Sequence, residues 1–185
     1  MDFVLRDAQF SDIAEITAIY ADSVVTGTSS YELIPPDQME MEARYQAIIS
    51  KGYPYIVGAT PDGTLLGYSY ASAFKTRPAY RWVVEDSIYL RPEARGKGIG
   101  KALLSELAGR CAQLGFRQMI AVIGGANPAS IAVHKTLGFE MAGTLKGTGF
   151  KHGRWLDTVL MQMALGDGML ADPDPHNYPG TLWSD

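Results

Sequence analysis

Apolar residues along this 185-residue chain recur with two periods, close to two and close to three and a half, and the switches between them outline the elements. Residues 3–6 read as a short strand. Ile13, Ile16, Ile19 and Tyr20 then follow at helical spacing, and Asp12 with Glu15 three residues later supplies a capping-box start. Residues 26–30 are polar and break the pattern. Pro35-Pro36 is a rigid entry to a second helix carrying Met39, Ala43 and Ile48-Ile49, so the segment between the two helices is expected to be exposed and flexible. Residues 55–59 and 65–74 are strand-like on either side of Pro61-Asp62-Gly63, and so predict a hairpin. Residues 82–90 are a further strand.

A helix is predicted over 98–114, with Leu103, Leu107 and Leu114 on one side and Gly115 at the C′ position, before strand character resumes at 119–123. A strand, helix, strand unit implies a parallel pair. Asn127-Pro128 opens a shorter helix ending near Leu137-Gly138, and residues 140–150 and 154–163 form a last hairpin around His152-Gly153. The whole reads as one α/β (α+β) domain over residues 1–165. Residues 166–185 turn to Gly, Asp and Pro and read as a loosely packed tail in which Tyr178 and Trp183 are candidates to dock on a neighbour.

Composition narrows the class. With 46% hydrophobic residues the chain builds one ordinary core, and two domains would be cramped. A net charge of -4 gives no global attraction to nucleic acid, and the only dense basic cluster lies at residues 95–101. The single cysteine, Cys111, has no internal disulfide partner and lies at helical spacing from Leu107 and Leu114, a core position. There is neither a cationic start with an apolar h-region nor an apolar run long enough to span a bilayer, so a cytoplasmic protein without a membrane segment is expected.

The basic cluster is Arg95-Gly96-Lys97-Gly98-Ile99-Gly100, followed by Lys101, between a strand and a helix. Its glycines remove side chains where backbone must approach an anion, and the helix that follows begins with unpaired N–H groups and a positive dipole end. Neither the P-loop nor the dinucleotide fingerprint can be laid on this spacing. R-x-x-G-x-G does fit.

That element occurs with Trp82-x-Val84-Glu85-x-Ser87-x-Tyr89, Asn127-Pro128-Ala129-Ser130, His134-x-x-Leu137-Gly138-Phe139 and Gly149-Phe150-Lys151-x-Gly153-Arg154-Trp155-Leu156-Asp157. Over about residues 3–164 the chain resembles the GCN5-related N-acetyltransferases (GNAT), and within them the group that acetylates phosphinothricin, methionine sulfoximine and methionine sulfone. The resemblance implies a GNAT fold, a mixed sheet of six or seven strands splayed at its centre and flanked by helices. It also implies acetyl-CoA in the cleft, no metal, and a homodimer. Arg95, Gly96, Lys97, Gly98, Ile99, Gly100 and Lys101, the backbone of Ile88, Tyr89 and Leu90, and Asn127 become the expected cofactor contacts.

Acetyl transfer to an amine needs loss of the ammonium proton, stabilisation of an oxyanion and protonation of the departing thiolate. Glu85 lies among Trp82, Val83, Val84 and Ile88, where partial desolvation raises a carboxyl toward the range of a useful base. The competing reading is a strand carboxylate in an ion pair. His134 is a candidate proton donor to the thiolate, with Tyr89 as its competitor and a packed or surface histidine as the structural alternative. For the acceptor, Lys75, Thr76, Arg77 and Arg81 interleave with Tyr80 and Trp82 ahead of Glu85-Asp86-Ser87, and offer cations to a carboxylate and a tetrahedral oxygen centre. A solvated loop is the alternative there. In the resembled enzymes this loop and the Glu85-Asp86-Ser87 stretch line the substrate pocket, and Tyr31 is expected to close one wall. Three readings follow: an N-acetyltransferase for a compact amino-acid analogue, one for another small amine or a protein N-terminus, or a non-catalytic acyl-CoA sensor.

Overall fold

A computed structural model describes residues 2–182. In chain order these form β1 (Val4–Asp7), α1 (Ile13–Thr26), α2 (Gln38–Ile49), β2 (Tyr55–Ala59), β3 (Leu65–Ala73), β4 (Val83–Leu90), α3 (Ile99–Leu114), β5 (Gln118–Gly124), α4 (Pro128–Thr136), β6 (Glu140–Lys151) and β7 (Arg154–Ala164). The strands make one sheet in the order β1-β2-β3-β4-β5-β7-β6. Every pairing is antiparallel except that of β4 with β5, the pair joined through α3.

That parallel pair is short, and the shortness makes the site. It runs only from Val83 opposite Gln118 to Asp86 opposite Ala121. Beyond it β4 stays with β3 as far as Leu90, while β5 stays with β7 as far as Gly124. The sheet therefore splits into two halves, and the last four residues of β4 face a gap.

Each face of the sheet is sealed by helices; the sequence spacing anticipates the apolar stripes of α1 and α3, whereas α2 turns the expected Met39 and Ala43 to solvent and packs through Met41 and Tyr45. On one face α3 buries Ile99, Leu103, Leu104, Leu107 and Cys111 completely against Val84, Met119 and Ala121. On the other, α1 and α2 bury Ile13, Ile16, Val24, Met41 and Tyr45 against Val57, Leu65 and Tyr68. A band of tyrosines runs through this second layer: Tyr55 stacks on Tyr68 and Tyr70, Tyr68 stacks on Tyr89, and Tyr20 meets Tyr89 edge-on at 4.9 Å. Close ring packing of this kind adds to area burial and leaves β3 and β4 little freedom.

Three further expectations change. Asp12 and Glu15 do not form a capping box: Asp12 accepts from Arg6 at 2.7 Å and from the Gln9 N–H, while Glu15 reaches Arg91 at 2.8 Å and the Leu65 N–H. Both carboxylates tie α1 to the sheet instead. The segment after α1 is not loose, although Leu33 and Ile34 are exposed. The Ser30 carbonyl accepts from Lys151, and Tyr31 reaches Thr158 at 2.7 Å. The tail also docks. Tyr178 packs edge-on against Phe116 and donates to the Lys51 carbonyl, and the Gly180 carbonyl accepts from Arg81 at 2.6 Å. Trp183 lies outside the described residues.

Candidate active site

The pleat of β4 assigns its side chains to two layers. Glu85, Ser87 and Tyr89 alternate with Asp86, Ile88 and Leu90. Tyr89 packs into the tyrosine band, whereas Asp86 meets α4 and both Ile88 and Leu90 lie against Gly100 of α3.

Backbone direction follows from two bonds. The Arg91 N–H donates to Leu66 on β3, and the Trp82 carbonyl accepts from Arg117 and Gln118 at the start of β5. Odd-numbered residues of β4 therefore turn their polar backbone toward β3, and even-numbered ones turn it toward β5. Past Asp86 there is no β5 partner, so the N–H groups of Ile88 and Leu90 point into the gap. Of the three backbone segments expected to meet the cofactor, those of Ile88 and Leu90 aim N–H groups into the gap, while Tyr89 turns its backbone toward β3 and its ring into the tyrosine band.

Two cavities meet at this gap. The larger, about 580 Å³, is lined by Ile88 to Leu90, Arg95, Gly96, Gly100, Asn127 and Arg154 among others, with no carboxylate side chain in its wall. The smaller, about 240 Å³, includes Glu85, Asp86, Ser87, Tyr31 and Thr158 and has no lysine or arginine. Ser29, Ile88, Tyr89, Ser130 and His134 line both. A cationic chamber opens onto an acidic one.

The larger chamber has the parts to hold a phosphorylated cofactor. Gly96 and Gly98 have φ of 72° and 83°, a left-handed backbone that brings the cradle round to the first turn of α3. A Cβ at either would meet nothing within 4 Å, so the space beside that backbone is open to a ligand. Arg95 is held by the Leu90 carbonyl at 3.3 Å and by Asp22 at 3.6 Å. Ile99 presents no side chain to this chamber, because that side chain is buried in the core. Gly98, Lys97 and Lys101 lie on the cradle outside the cavity wall. Asn127 caps α4, its Oδ1 accepting from Ala129 and Ser130, and it lines the chamber as well.

In the smaller chamber Glu85 forms no hydrogen bond or salt bridge among the described residues. Burial, then the neighbouring Asp86 charge, pushes it up to about 7, with Lys75 opposing. His134 is 1% exposed, with Nδ1 2.7 Å from the Ser130 carbonyl and Nε2 3.0 Å from Asp86 Oδ2. A carbonyl only accepts, so Nδ1 carries a proton. Burial pulls the imidazole down, but the Asp86 hydrogen bond and charge, with the Ser130 carbonyl, outweigh it and leave His134 above its ordinary 6.5. Tyr89 is pushed well above 10 by burial and its tyrosine neighbours. Burial and Asp86 push the Cys111 thiol up to about 12, which leaves it a protonated core residue.

The acceptor loop is placed differently from the rest. Lys75, Thr76 and Arg77 are exposed after β3 and line neither chamber. Lys75 sits over the Phe74 ring at 5.1 Å, near enough to influence Glu85. Arg81 is engaged by the Pro78 and Gly180 carbonyls. Tyr31 lines the smaller chamber, and Gly124 explains how its segment gets there: a Cβ at Gly124 would lie 2.6 Å from the Thr28 carbonyl, so this segment rests directly on the end of β5. Sequence reading missed Ser29, Ser130, Thr158 and Arg154. Of these only Ser130, four residues before His134, and Arg154, inside the Gly153–Asp157 motif, carried a local signal.

A sheet split beside a glycine cradle fits a phosphorylated acyl donor, and the acetyltransferase (GNAT) domain profile, which matches residues 5–160, gives the class. The chain belongs to the GNAT acetyltransferase family. It is 49% identical over 172 residues, 92% of this chain and 85% of the relative, to a phosphinothricin N-acetyltransferase of Alcaligenes faecalis. It is 38% identical over 165 residues, 89% of this chain and 96% of the relative, to an L-methionine sulfoximine/L-methionine sulfone acetyltransferase of Pseudomonas paraeruginosa. The crystal structure of a GNAT superfamily phosphinothricin acetyltransferase from Sinorhizobium meliloti in complex with acetyl-CoA superposes with a TM-score of 0.97 at 59% identity, covering 100% of both chains.

Proposed function

We propose that this acetyl-CoA-dependent N-acetyltransferase acetylates the α-amine of phosphinothricin, methionine sulfoximine or methionine sulfone by direct attack, with Glu85 as general base. The names of the relatives support the acceptor class. The observation that carries the mechanism is a carboxyl raised to about 7 in an acidic chamber that opens onto a cationic one.

Acetyl-CoA supplies an activated acetyl thioester, and Arg95, Gly96, the start of α3 and Asn127 are the groups that fit its phosphates and pantetheine arm. An ammonium is drawn to the acidic chamber, and Glu85 takes its proton there. The N–H groups of Ile88 and Leu90 donate to the acyl oxygen. His134, braced by Asp86 and the Ser130 carbonyl at the junction of the chambers, is the group assigned to reprotonate the departing thiolate. The acceptor's own carboxylate is assigned to Lys75, Thr76 and Arg77, exposed after β3, with Ser87 and Tyr31 on the chamber wall. A Cys111 acyl intermediate has no support in a thiol so buried and so weakly acidic.

The proposal extends to a homodimer and to the cytoplasm. Met141, Leu145, Phe150 and Trp155 expose 50%, 48%, 56% and 70% of their surface along β6 and the start of β7, an apolar edge suited to a second copy. The buried free thiol suits a reducing compartment. Among the described residues no helix is long and apolar enough to cross a membrane.

A thiol-release assay with acetyl-CoA and a panel of phosphinothricin, methionine sulfoximine, methionine sulfone, methionine and a short peptide tests the acceptor. Turnover confined to the tetrahedral analogues is expected. Turnover with the peptide alone would transfer the chain to protein acetylation, and acetyl-CoA binding without turnover would make it a sensor.

A further inference from the structure

Arg154 belongs to a sequence motif for which neither the chemistry nor the cradle has a use, and its setting is unusual for a surface arginine. It opens β7 directly after the His152-Gly153 turn, whose two residues have φ of 50° and 71°. That turn is tied down from the other side. Lys151 Nζ, on a residue only 5% exposed, donates to the Ser30 carbonyl at 2.8 Å, and His152 Nε2 lies 3.2 Å from the Gly27 carbonyl. Arg154 pairs with Lys151 across the hairpin, so its side chain shares the face that turns toward this segment, opposite to Phe150 and Trp155. The guanidinium makes no hydrogen bond or ion pair among the described residues, and it lines the cationic chamber with Arg95 and Gly96.

An unpaired arginine on braced backbone, facing a cavity with no carboxylate in its wall, lacks an anion. The topology says which anion fits. Arg95 follows β4 and so belongs to one half of the split sheet, whereas Arg154 is on β7, which is bonded to β5 and belongs to the other. We propose that Arg154 is a second ligand to the pyrophosphate of acetyl-CoA, closing from the β5–β7 half the grip that Arg95 and the cradle make from the β4 half. Cofactor binding thereby bridges the two halves across the gap where the acyl group must be held.

Calorimetric titration of Arg154→Ala and Arg154→Lys with coenzyme A, dephospho-coenzyme A and pantetheine tests this without turnover, and so apart from the acceptor assignment. A charge-assisted contact of this kind predicts that Arg154→Ala binds coenzyme A and dephospho-coenzyme A ten- to a hundredfold more weakly, about equally for both. Pantetheine should be unaffected, Arg154→Lys should lie between, and the salt dependence of binding should flatten. Because the side chain has no protein partner, the ligand-free melting temperature should not move. A loss confined to coenzyme A would assign Arg154 to the 3′-phosphate and overturn the pyrophosphate contact. Unchanged affinity for all three ligands would make it a solvated surface residue and end the proposal.

Discussion

Replacing Glu85 with Gln removes a charge that folding disfavours and the proposed mechanism requires, so activity and stability should move in opposite directions. The carboxyl rises from an ordinary 4.5 to about 7 on folding, chiefly by burial. A group whose folded pKa is raised binds protons more tightly in the native state than in the unfolded one. Its ionisation therefore costs stability as pH rises from 4.5 through about 7; the full cost is present above that range, and little remains at pH 4. At 1.36 kcal/mol per pH unit the ceiling is about 3 kcal/mol, and solvent screening of this half-buried side chain lowers the expected gain for Glu85→Gln at pH 8 to ~1–2 kcal/mol. Urea unfolding at pH 4 and pH 8 reads it as a gain seen only at the higher pH. In the thiol-release assay, kcat/KM of the wild type should fall about tenfold per pH unit below about 7, and the variant should lose roughly 10²–10⁴-fold with that acid limb gone. An acid limb that survives in Glu85→Gln would show that another group is the base. A variant no more stable at pH 8 than at pH 4, relative to wild type, would show that Glu85 is not strained by burial.

Lys75 holds Glu85 down by its charge, so Lys75→Gln should shift the acid limb of kcat/KM to higher pH and raise the acceptor KM, while leaving acetyl-CoA affinity unchanged. Asp86→Asn should cost about 3–5 kcal/mol in chemical denaturation, because it leaves a buried imidazole without its anion. Followed by NMR, His134 should then titrate below 6.5 instead of above it. The stability it contributes in the wild type, full below pH 6.5 and lost as pH rises through its elevated value, should disappear with it. In Gly149→Ala the new methyl would lie 2.8 Å from Tyr31 Cε2, so the ring must leave its bond to Thr158. A loss of about 1–3 kcal/mol is expected, with a larger change in acceptor KM than in acetyl-CoA KM.

What the chain shows before folding is whatever repeats locally. Ile13, Ile16 and Ile19, or Leu103, Leu107 and Cys111, mark their buried faces by spacing alone, and all of them are in the core. The cradle is equally legible, because its glycines and cations are contiguous. Contacts between distant segments have no such signature. Tyr31 and Thr158 are 127 residues apart, Ser30 and Lys151 are 121 apart, and nothing near residue 30 announces that the loop is stapled to the last hairpin. Asp86 and His134 were each conspicuous, yet their union 48 residues apart depends on α4 folding back over the end of β4. Arg81 looks like a substrate cation in a basic stretch, and it is the docking of the tail carbonyl at Gly180 that gives it a structural partner.

The division of charge between the chambers follows from the same split in the sheet. Where β4 and β5 part, the pleat sends Glu85 and Asp86 to opposite layers but leaves both on the wall of one chamber, while the cradle beyond Leu90 and the turn before β7 bring arginines to the other. A polyanionic cofactor and a cationic amine are thereby sorted before any specific contact forms. Burying Glu85 and setting it beside Asp86, in a wall without lysine or arginine, raises its pKa and costs folding energy. Lys75, exposed and outside the chamber wall, limits that cost by its charge. In the proposed mechanism a cation on the chamber wall would tighten an acceptor carboxylate but return Glu85 toward an ordinary, weaker base, and the exposed position of Lys75 avoids that loss.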